Sequence, residues 1–205
     1  MKNEKAVLIS IRPKWCGLIA NGSKTLEIRK TKPHLQTPFK CYIYCTSSNV
    51  HECLLQNESG AKLIHAINYK TAIPVGGYVG NGKVIGEFIC DEIINAIDIG
   101  GNDFYAKSCM SLEEWLKYTD NHKGEMWCWH ISDLVIYDKP KELNELVAIC
   151  PEWEKGYFDY KCMHCKHYFC NDADMRHECT VEGEIPITRP PQSWCYVEEV
   201  EGGVL

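Results

Sequence analysis

Three ionisable side chains lie within residues 22–29, a segment whose other residues predict a short, half-buried β-strand. Side chains alternate between the two faces of a strand, so Glu27 and Arg29 share one face while Leu26 and Ile28 share the other. We expect the apolar pair to face the core and the charged pair to face a cleft or solvent. This segment therefore restricts the chain to folds that place a polar cleft beside a core strand.

Lys24 comes just before this strand, at a turn. Gly22 follows Asn21 there and is suited to end the preceding helix, because glycine readily adopts the left-handed conformation that closes many helices. The reversal of the chain brings the Lys24 ammonium close to the mouth of the strand. We therefore predict that the lysine, glutamate and arginine side chains converge on one polar ligand.

Short strands and a few helices account for the rest of the pattern up to residue 140. Apolar and alternating runs, with Gly, Pro and Asn at the turns, predict strands over residues 6–11, 25–30, 39–46, 83–94 and 126–137. Helices are predicted over residues 14–20, 60–68 and 111–118. Ser111 and Glu114 give the last helix a capping-box sequence. Because the elements follow no regular βαβ order, an α+β fold with a mixed β-barrel is favoured.

The pattern Gly-x-Lys-x-x-Glu-x-Arg, placed after an apolar strand and a short helix, resembles the signature of the ASCH domain family, which belongs to the PUA-like folds. Related runs occur at residues 7–13, 83–88, 129–132 and 137–140. The resemblance implies a PUA-like mixed β-barrel flanked by short helices, with a cleft that holds RNA or a modified nucleoside. The candidate ligand-binding residues are Arg12, Lys14, Lys24, Glu27 and Arg29.

The resemblance also raises an enzymatic alternative. Some small ASCH proteins are amidohydrolases that remove acyl groups from N4-acylated cytidine, and they use a lysine to activate a threonine of the signature. Lys24 matches that lysine, but Glu27 occupies the threonine position. A neighbouring carboxylate also makes a lysine a poorer base. We predict that the protein binds its ligand without hydrolysing it. If it is an enzyme, either an amidohydrolase or a ribonuclease as described for members of the family, Lys24 and Glu27 are the catalytic candidates.

Charge is distributed unevenly along the chain. The formal net charge is −6, yet residues 1–40 contain nine lysines and arginines against two glutamates, a net +7 that leaves −13 for the remainder. Affinity for nucleic acid comes largely from neutralised phosphates, so one positive face suits a polyanion better than the total charge does. A solvated rim of lysines is the alternative interpretation.

A segment rich in cysteine, histidine and aromatic residues follows the barrel pattern. Its C-x2-C-x4-C-x8-C spacing predicts a closed structural zinc site, because four thiolates complete a tetrahedron and leave no open position. The predicted ligands are Cys162, Cys165, Cys170 and Cys179. Alternative ligands for one of the four positions are Cys150, His164, His167 and His177. An iron–sulfur cluster is the second interpretation, and metal-free thiols are the third.

Three parts follow from these patterns. They are an ASCH or PUA-like barrel domain over residues 1–145, a metal-stapled Cys-rich insertion over residues 146–185, and a C-terminal segment over residues 186–205 that packs back on the barrel. Metal binding would supply the folding free energy of the insertion, which has few apolar residues. The insertion is also a candidate docking site for a protein partner.

Cysteine usage and hydropathy indicate the compartment. Thirteen cysteines without a secretion signal argue for thiols and metal ligands over disulfides. Cys41, Cys45 and Cys90 lie in apolar runs, where a free cysteine behaves as a small hydrophobe. No run approaches the roughly 18 apolar residues of a membrane span. We expect a cytoplasmic protein with no membrane partner.

Overall fold

The fold is given by a computed structural model that describes residues 4–47, 51–56, 62–67, 76–120, 122–149, 168–171, 176–179 and 185–200. The first half contains β1 (Lys5–Ile11), α1 (Pro13–Ala20), β2 (Leu26–Arg29), β3 (Phe39–Cys45), β4 (His51–Gln56), β5 (Lys62–Ile67), β6 (Tyr78–Val79), β7 (Val84–Cys90) and β8 (Ile93–Asn95). The second half contains α2 (Gly101–Ser108), α3 (Leu112–Thr119), β9 (Trp127–His130), β10 (Ser132–Lys141), β11 (Val147–Ala148), β12 (Tyr168–Asn171), β13 (Arg176–Cys179), β14 (Ile185–Pro186) and β15 (Trp194–Glu198).

A seven-stranded mixed sheet in the order β10-β7-β3-β1-β15-β11-β14 forms the centre of the fold. β1 pairs in parallel with β3 and antiparallel with β15. Along β1, Val7 and Ile9 enter one hydrophobic core, whereas Ala6 and Leu8 enter a second core on the other face. Burial on both faces explains why this strand reads as a continuous apolar run.

A three-stranded sheet in the order β2-β9-β8 packs against this central sheet. Trp129 of β9 is fully buried in the same core as the central strands and α1. Leu26, Ile28 and Cys128 enter a third core with residues from α2 and the segments around it. The small sheet is therefore covered on both faces, and β2, predicted to be half-buried, is buried throughout.

One helix prediction is wrong. Residues 60–68 were expected to be helical, but β5 occupies Lys62–Ile67 and pairs residue for residue with β4, and β6 completes this third sheet. Short apolar runs do not distinguish strand from helix by periodicity, and here the pairing with β4 decides. The long strands predicted over residues 83–94 and 126–137 are each divided in two, as β7 with β8 and β9 with β10. Helix α2 has little apolar periodicity and was not predicted.

Two helix ends follow their local chemistry as predicted. Ser111 caps α3 by accepting a hydrogen bond from the Glu114 amide at 3.1 Å, and the Glu114 carboxylate accepts from the Ser111 amide at 2.9 Å. This reciprocal pair is the predicted capping box. After α1, Gly22 has φ +79° and lets the chain reverse toward β2.

The predicted α+β class is confirmed. Among the described residues the central sheet is an open ladder whose end strands, β10 and β14, each pair on one side, so closure into a barrel is not seen in the hydrogen bonding. Of the predicted zinc ligands, Cys162 and Cys165 lie outside the described residues, while Cys170 and Cys179 lie on the paired strands β12 and β13. No described helix has the length and apolar character needed to cross a bilayer.

The strand cysteines are core residues, as predicted. Cys41, Cys45 and Cys90 are each at most 1 % exposed, and Cys128 is fully buried. Burial raises the pKa of the Cys90 and Cys128 thiols to about 12, which leaves very little thiolate near neutral pH.

These thiols should resist alkylation in the native protein. With iodoacetamide at about pH 8, Cys90 and Cys128 should label at least roughly a hundredfold more slowly than the partly exposed Cys109, because the thiolate is the reacting species. Peptide mass spectrometry over a time course measures the three rates. Equal rates at Cys128 and Cys109 in folded protein would contradict the buried position of β9.

Candidate functional site

Strand β2 and the turn before it carry a buried ionic trio, Lys24, Glu27 and Arg29. Glu27 bridges the two cations: its Oε1 lies 3.0 Å from Arg29 Nη2, and its Oε2 lies 3.4 Å from Lys24 Nζ. Only 2 % of Lys24, 6 % of Glu27 and 7 % of Arg29 is exposed. The predicted convergence of the three side chains is present, but it lies between two packed sheets and not in an open cleft.

The location of the trio follows from strand register. Glu27 pairs with Trp129 and Arg29 pairs with Trp127 in the β2–β9 ladder. Alternation puts the charged residues on the face that Trp129 presents to the central sheet, while Leu26 and Ile28 pack on the opposite side. Charged side chains on such a face are tolerated only when they are paired and hydrogen-bonded.

The Lys24 ammonium has three acceptor neighbours within the protein. Its Nζ donates to the carbonyl oxygens of Leu26 at 2.6 Å and Ser108 at 2.9 Å, and the Glu27 carboxylate is the third neighbour. Two of the three ammonium donors form short hydrogen bonds, and the third faces the Glu27 carboxylate. Lys24 was predicted to contact the ligand, whereas here it links β2 to the end of α2.

The hydrogen-bond donors of Arg29 are incompletely satisfied. Nη2 donates to the Ser10 carbonyl at 2.7 Å and also contacts Glu27. Nη1 has two long contacts to Ser193, 3.5 Å to the carbonyl oxygen and 3.4 Å to Oγ. Nε is buried and has no hydrogen-bond partner among the residues that the structure describes. Since contacts near 3.5 Å are weak, Arg29 is the member of the trio that can bind another acceptor.

A C-terminal segment covers this guanidinium. We call residues 190–193 the strap. Ser10 holds it at two points, because its Oγ donates to the Pro191 carbonyl at 2.7 Å and its amide donates to the Ser193 carbonyl at 2.9 Å. Trp194 Nε1 donates to Thr31 Oγ1 at 3.0 Å just beyond the strap. The C-terminal segment therefore forms one wall of the site as well as packing on the central sheet.

Tyr118 of α3 forms a further part of the surroundings. Its hydroxyl donates to the Ile28 carbonyl at 3.2 Å. Burial raises the pKa of Tyr118, and the nearby Arg29 and Arg12 guanidinium groups oppose that rise. One carboxylate against two buried cations leaves the trio with net positive charge, which favours an anionic or electron-rich ligand.

Arg12 and Lys14 lie outside the trio. Both are exposed at the start of α1. Lys14 forms an ion pair with Glu114 of α3 and lies over the Trp15 ring, 4.4 Å from its centroid. Sequence reasoning did not identify Ser10, Ser108, Tyr118 or Ser193 as neighbours of the trio, since each is distant from β2 in sequence.

An open cavity lies elsewhere on the central sheet. A cavity of about 410 Å³ lies near the start of β1 and β3, between Leu35, Phe39, Lys40 and Glu199. Arg29 binds the opposite end of β1, at Ser10. Lys40 in this cavity is already paired with Glu199 at 2.9 Å. In this conformation the trio is buried, and Ser193 of the strap lies against the Arg29 guanidinium.

Comparison with known proteins identifies the fold. No protein-family model and no curated protein sequence matches the chain. The crystal structure of ASCH from Zymomonas mobilis is similar with a TM-score of 0.51 and 14% sequence identity, over 95% of this chain and 88% of that one. The structure of a serine-to-alanine mutant of ZmASCH from the same organism gives a TM-score of 0.52 at 13% identity, over 97% and 92%. The chain therefore has a fold similar to that of ASCH structures, as the resemblance implied.

Removing the central carboxylate should unfold much of this arrangement. Glu27→Gln leaves the Lys24 and Arg29 charges buried without a counter-ion, and we expect the free energy of unfolding to fall by about 3–5 kcal/mol. Urea denaturation followed by tryptophan fluorescence measures it. The matched control is Glu142→Gln, whose 58 % exposed side chain pairs with Lys83 and should change stability by less than about 1 kcal/mol. Similar losses in both variants would contradict the bridging role of Glu27.

Proposed function

We propose that this chain binds RNA or a modified nucleoside and recognises a base through Arg29. The observation that carries the proposal is the spare hydrogen-bonding capacity of a buried guanidinium: an unpartnered Nε and two long Nη1 contacts to Ser193. The ASCH-type fold and the exposed basic residues of the first 40 support the same function.

A ligand acceptor would improve the hydrogen bonding of Arg29. A buried donor without a partner costs about 1–3 kcal/mol, and this cost is recovered when an acceptor binds. Nε and Nη1 lie on different sides of the planar guanidinium, so each would take its own acceptor, such as a base carbonyl or a phosphate oxygen. Glu27 holds Nη2 in place throughout. We therefore assign Arg29 the ligand contact, and Glu27 and Lys24 the positioning of Arg29.

For a ligand to contact the Arg29 guanidinium, the strap has to move at Ser193. Its contacts with Arg29 are long, whereas the Ser10 contacts with Pro191 and with the Ser193 carbonyl are short. A rotation of the Ser193 side chain with a small shift of its backbone would free Nη1 while Ser10 keeps the rest of the strap anchored. Single-stranded or flipped bases are recognised by such edge contacts.

Hydrolysis has less support than binding. A lysine that activates a nucleophile needs a free lone pair, and Lys24 directs its donors to three acceptors. Each Glu27 oxygen contacts a cation, so a water molecule would have to compete with Lys24 and Arg29 for the carboxylate. The amidohydrolase and ribonuclease alternatives therefore have no activated group among Lys24 and Glu27.

Arginine replacement tests the proposal. Arg29→Lys keeps the charge beside Glu27 but removes the fork, and we expect affinity for RNA of about 12 nucleotides and mixed sequence to fall at least tenfold. Fluorescence anisotropy measures binding, and thermal denaturation verifies folding. The control is Arg189→Lys, the same change at an exposed arginine. Unchanged affinity in folded Arg29→Lys would remove the proposal.

The hydrolytic alternative has its own test. Incubation of the protein with N4-acetylcytidine should release no cytidine, as followed by chromatography. Release that disappears in Lys24→Ala would instead establish an amidohydrolase and would require a rearranged Lys24 with a free donor.

For the Cys-rich insertion we propose structural zinc held by Cys162, Cys165, Cys170 and Cys179. The antiparallel pairing of β12 with β13 supports it, because the register sets Tyr168 opposite Cys179 and Cys170 opposite His177 and so brings the strands of two ligands together. Elemental analysis of protein purified with and without air should find stoichiometric zinc in both. Iron that is lost in air would point to a cluster, and no metal in either preparation would exclude the site.

A further inference from the structure

We infer that a surface track of lysine–aromatic pairs holds a single strand of RNA alongside the Arg29 site, an inference that rests on the proposed function and extends it. The track consists of Lys14 with Trp15, Lys30 with Tyr118, and Lys32 with Trp127. The lysine nitrogens lie 4.4, 5.2 and 3.6 Å from the respective ring centroids. The three rings are partly buried, so each is anchored and keeps an accessible part.

The three pairs lie on adjoining elements. Lys14 of α1 forms an ion pair with Glu114 of α3, one turn before Tyr118 on the same helix. Tyr118 donates to the carbonyl of Ile28, and Lys30 follows two residues later.

The third pair lies at the end of the small sheet where β2 finishes and β9 begins. Trp127 is the partner of Arg29 in the β2–β9 ladder, and Lys32 lies over its ring. Thr31, between the two track lysines, accepts from Trp194 next to the strap. The track therefore passes the mouth of the Arg29 site, where one base of a bound strand can enter.

Alternating cations and ring faces match the chemistry of a single-stranded nucleic acid. Proteins that bind such strands combine positive charge along the backbone with aromatic rings on which bases stack, and stacking contributes about 1–3 kcal/mol per base. In the free protein each lysine covers its ring through a cation–π contact. On binding, the ammonium moves to a phosphate and the ring face is released to a base.

The charges near the track favour two of its lysines for a test. Lys14 already pairs with Glu114, so that carboxylate competes with phosphate. Lys30 is partly exposed and Lys32 is exposed. A matched pair exists at the far edge of the central sheet, where Lys141 lies 5.0 Å from the centroid of Tyr137 and Lys139 is exposed close by. The Lys141–Tyr137 contact has the same chemistry but lies away from the Arg29 site.

The experiment measures RNA affinity as a function of salt. For single strands the slope of log K against log salt is about 0.7 per neutralised phosphate, so Lys30→Gln/Lys32→Gln should lower it by about 1.4 and weaken binding of RNA of about 12 nucleotides at least tenfold at low salt. The double variant Lys139→Gln/Lys141→Gln, with the same loss of charge, should match the wild type in both quantities. Equal behaviour of the two double variants would overturn the inference.

Two further measurements separate this inference from the proposed function. Binding of a mononucleoside, N4-acetylcytidine, should be unaffected in Lys30→Gln/Lys32→Gln but lost in Arg29→Lys. If only the track variant weakens RNA binding, the track stands and recognition by Arg29 fails. If only Arg29→Lys does so, the track fails and the proposed function stands. Poly-glutamate offers charge without bases, so its binding as tightly as RNA would overturn the track as a nucleic-acid surface.

Discussion

One carboxylate holds the functional end of this fold together. Glu27 bridges two buried cations: Lys24 connects β2 to the end of α2 through the Ser108 carbonyl, and Arg29 connects β2 to the end of β1 and to Ser193. Burying three charges is costly unless each is paired and hydrogen-bonded. The trio lies at the junction of two sheets, where it fixes the Arg29 guanidinium away from water. Electrostatic interactions of the guanidinium are stronger in such a setting.

The three residues of the trio differ in how completely the protein satisfies their hydrogen bonds. Lys24 forms two short hydrogen bonds and faces Glu27, and each oxygen of Glu27 contacts a cation, so both side chains are engaged mainly within the protein. Arg29 alone of the three combines an unpartnered donor with long contacts. A site of this kind is suited to reading an acceptor and poorly suited to moving protons. In the proposed function, the strap and the lysine–aromatic track would guide how an RNA strand approaches it.

Local sequence patterns predicted what local chemistry controls. Alternation separated the faces of β2, and the capping box at Ser111 and the reversal at Gly22 followed their motifs. Residues 60–68 were misassigned because pairing with β4 overrides an ambiguous apolar run. The hydrogen bond from Lys24 to Ser108 and the contact of Ser193 with Arg29 could not be predicted. They join residues 84 and 164 positions apart and leave no local signal in the sequence.

The spare donor of Arg29 is best observed directly, by recording side-chain ¹⁵N–¹H correlations of the arginine Nε groups while single-stranded RNA of mixed sequence is added. The chain has four arginines, at positions 12, 29, 176 and 189, so the spectrum is simple and Arg29→Lys assigns the resonance. We predict a downfield proton shift at Arg29 Nε as it gains an acceptor, with the Lys24 ammonium signal unchanged. An Arg29 resonance that stays fixed while RNA saturates the protein would contradict recognition at the trio.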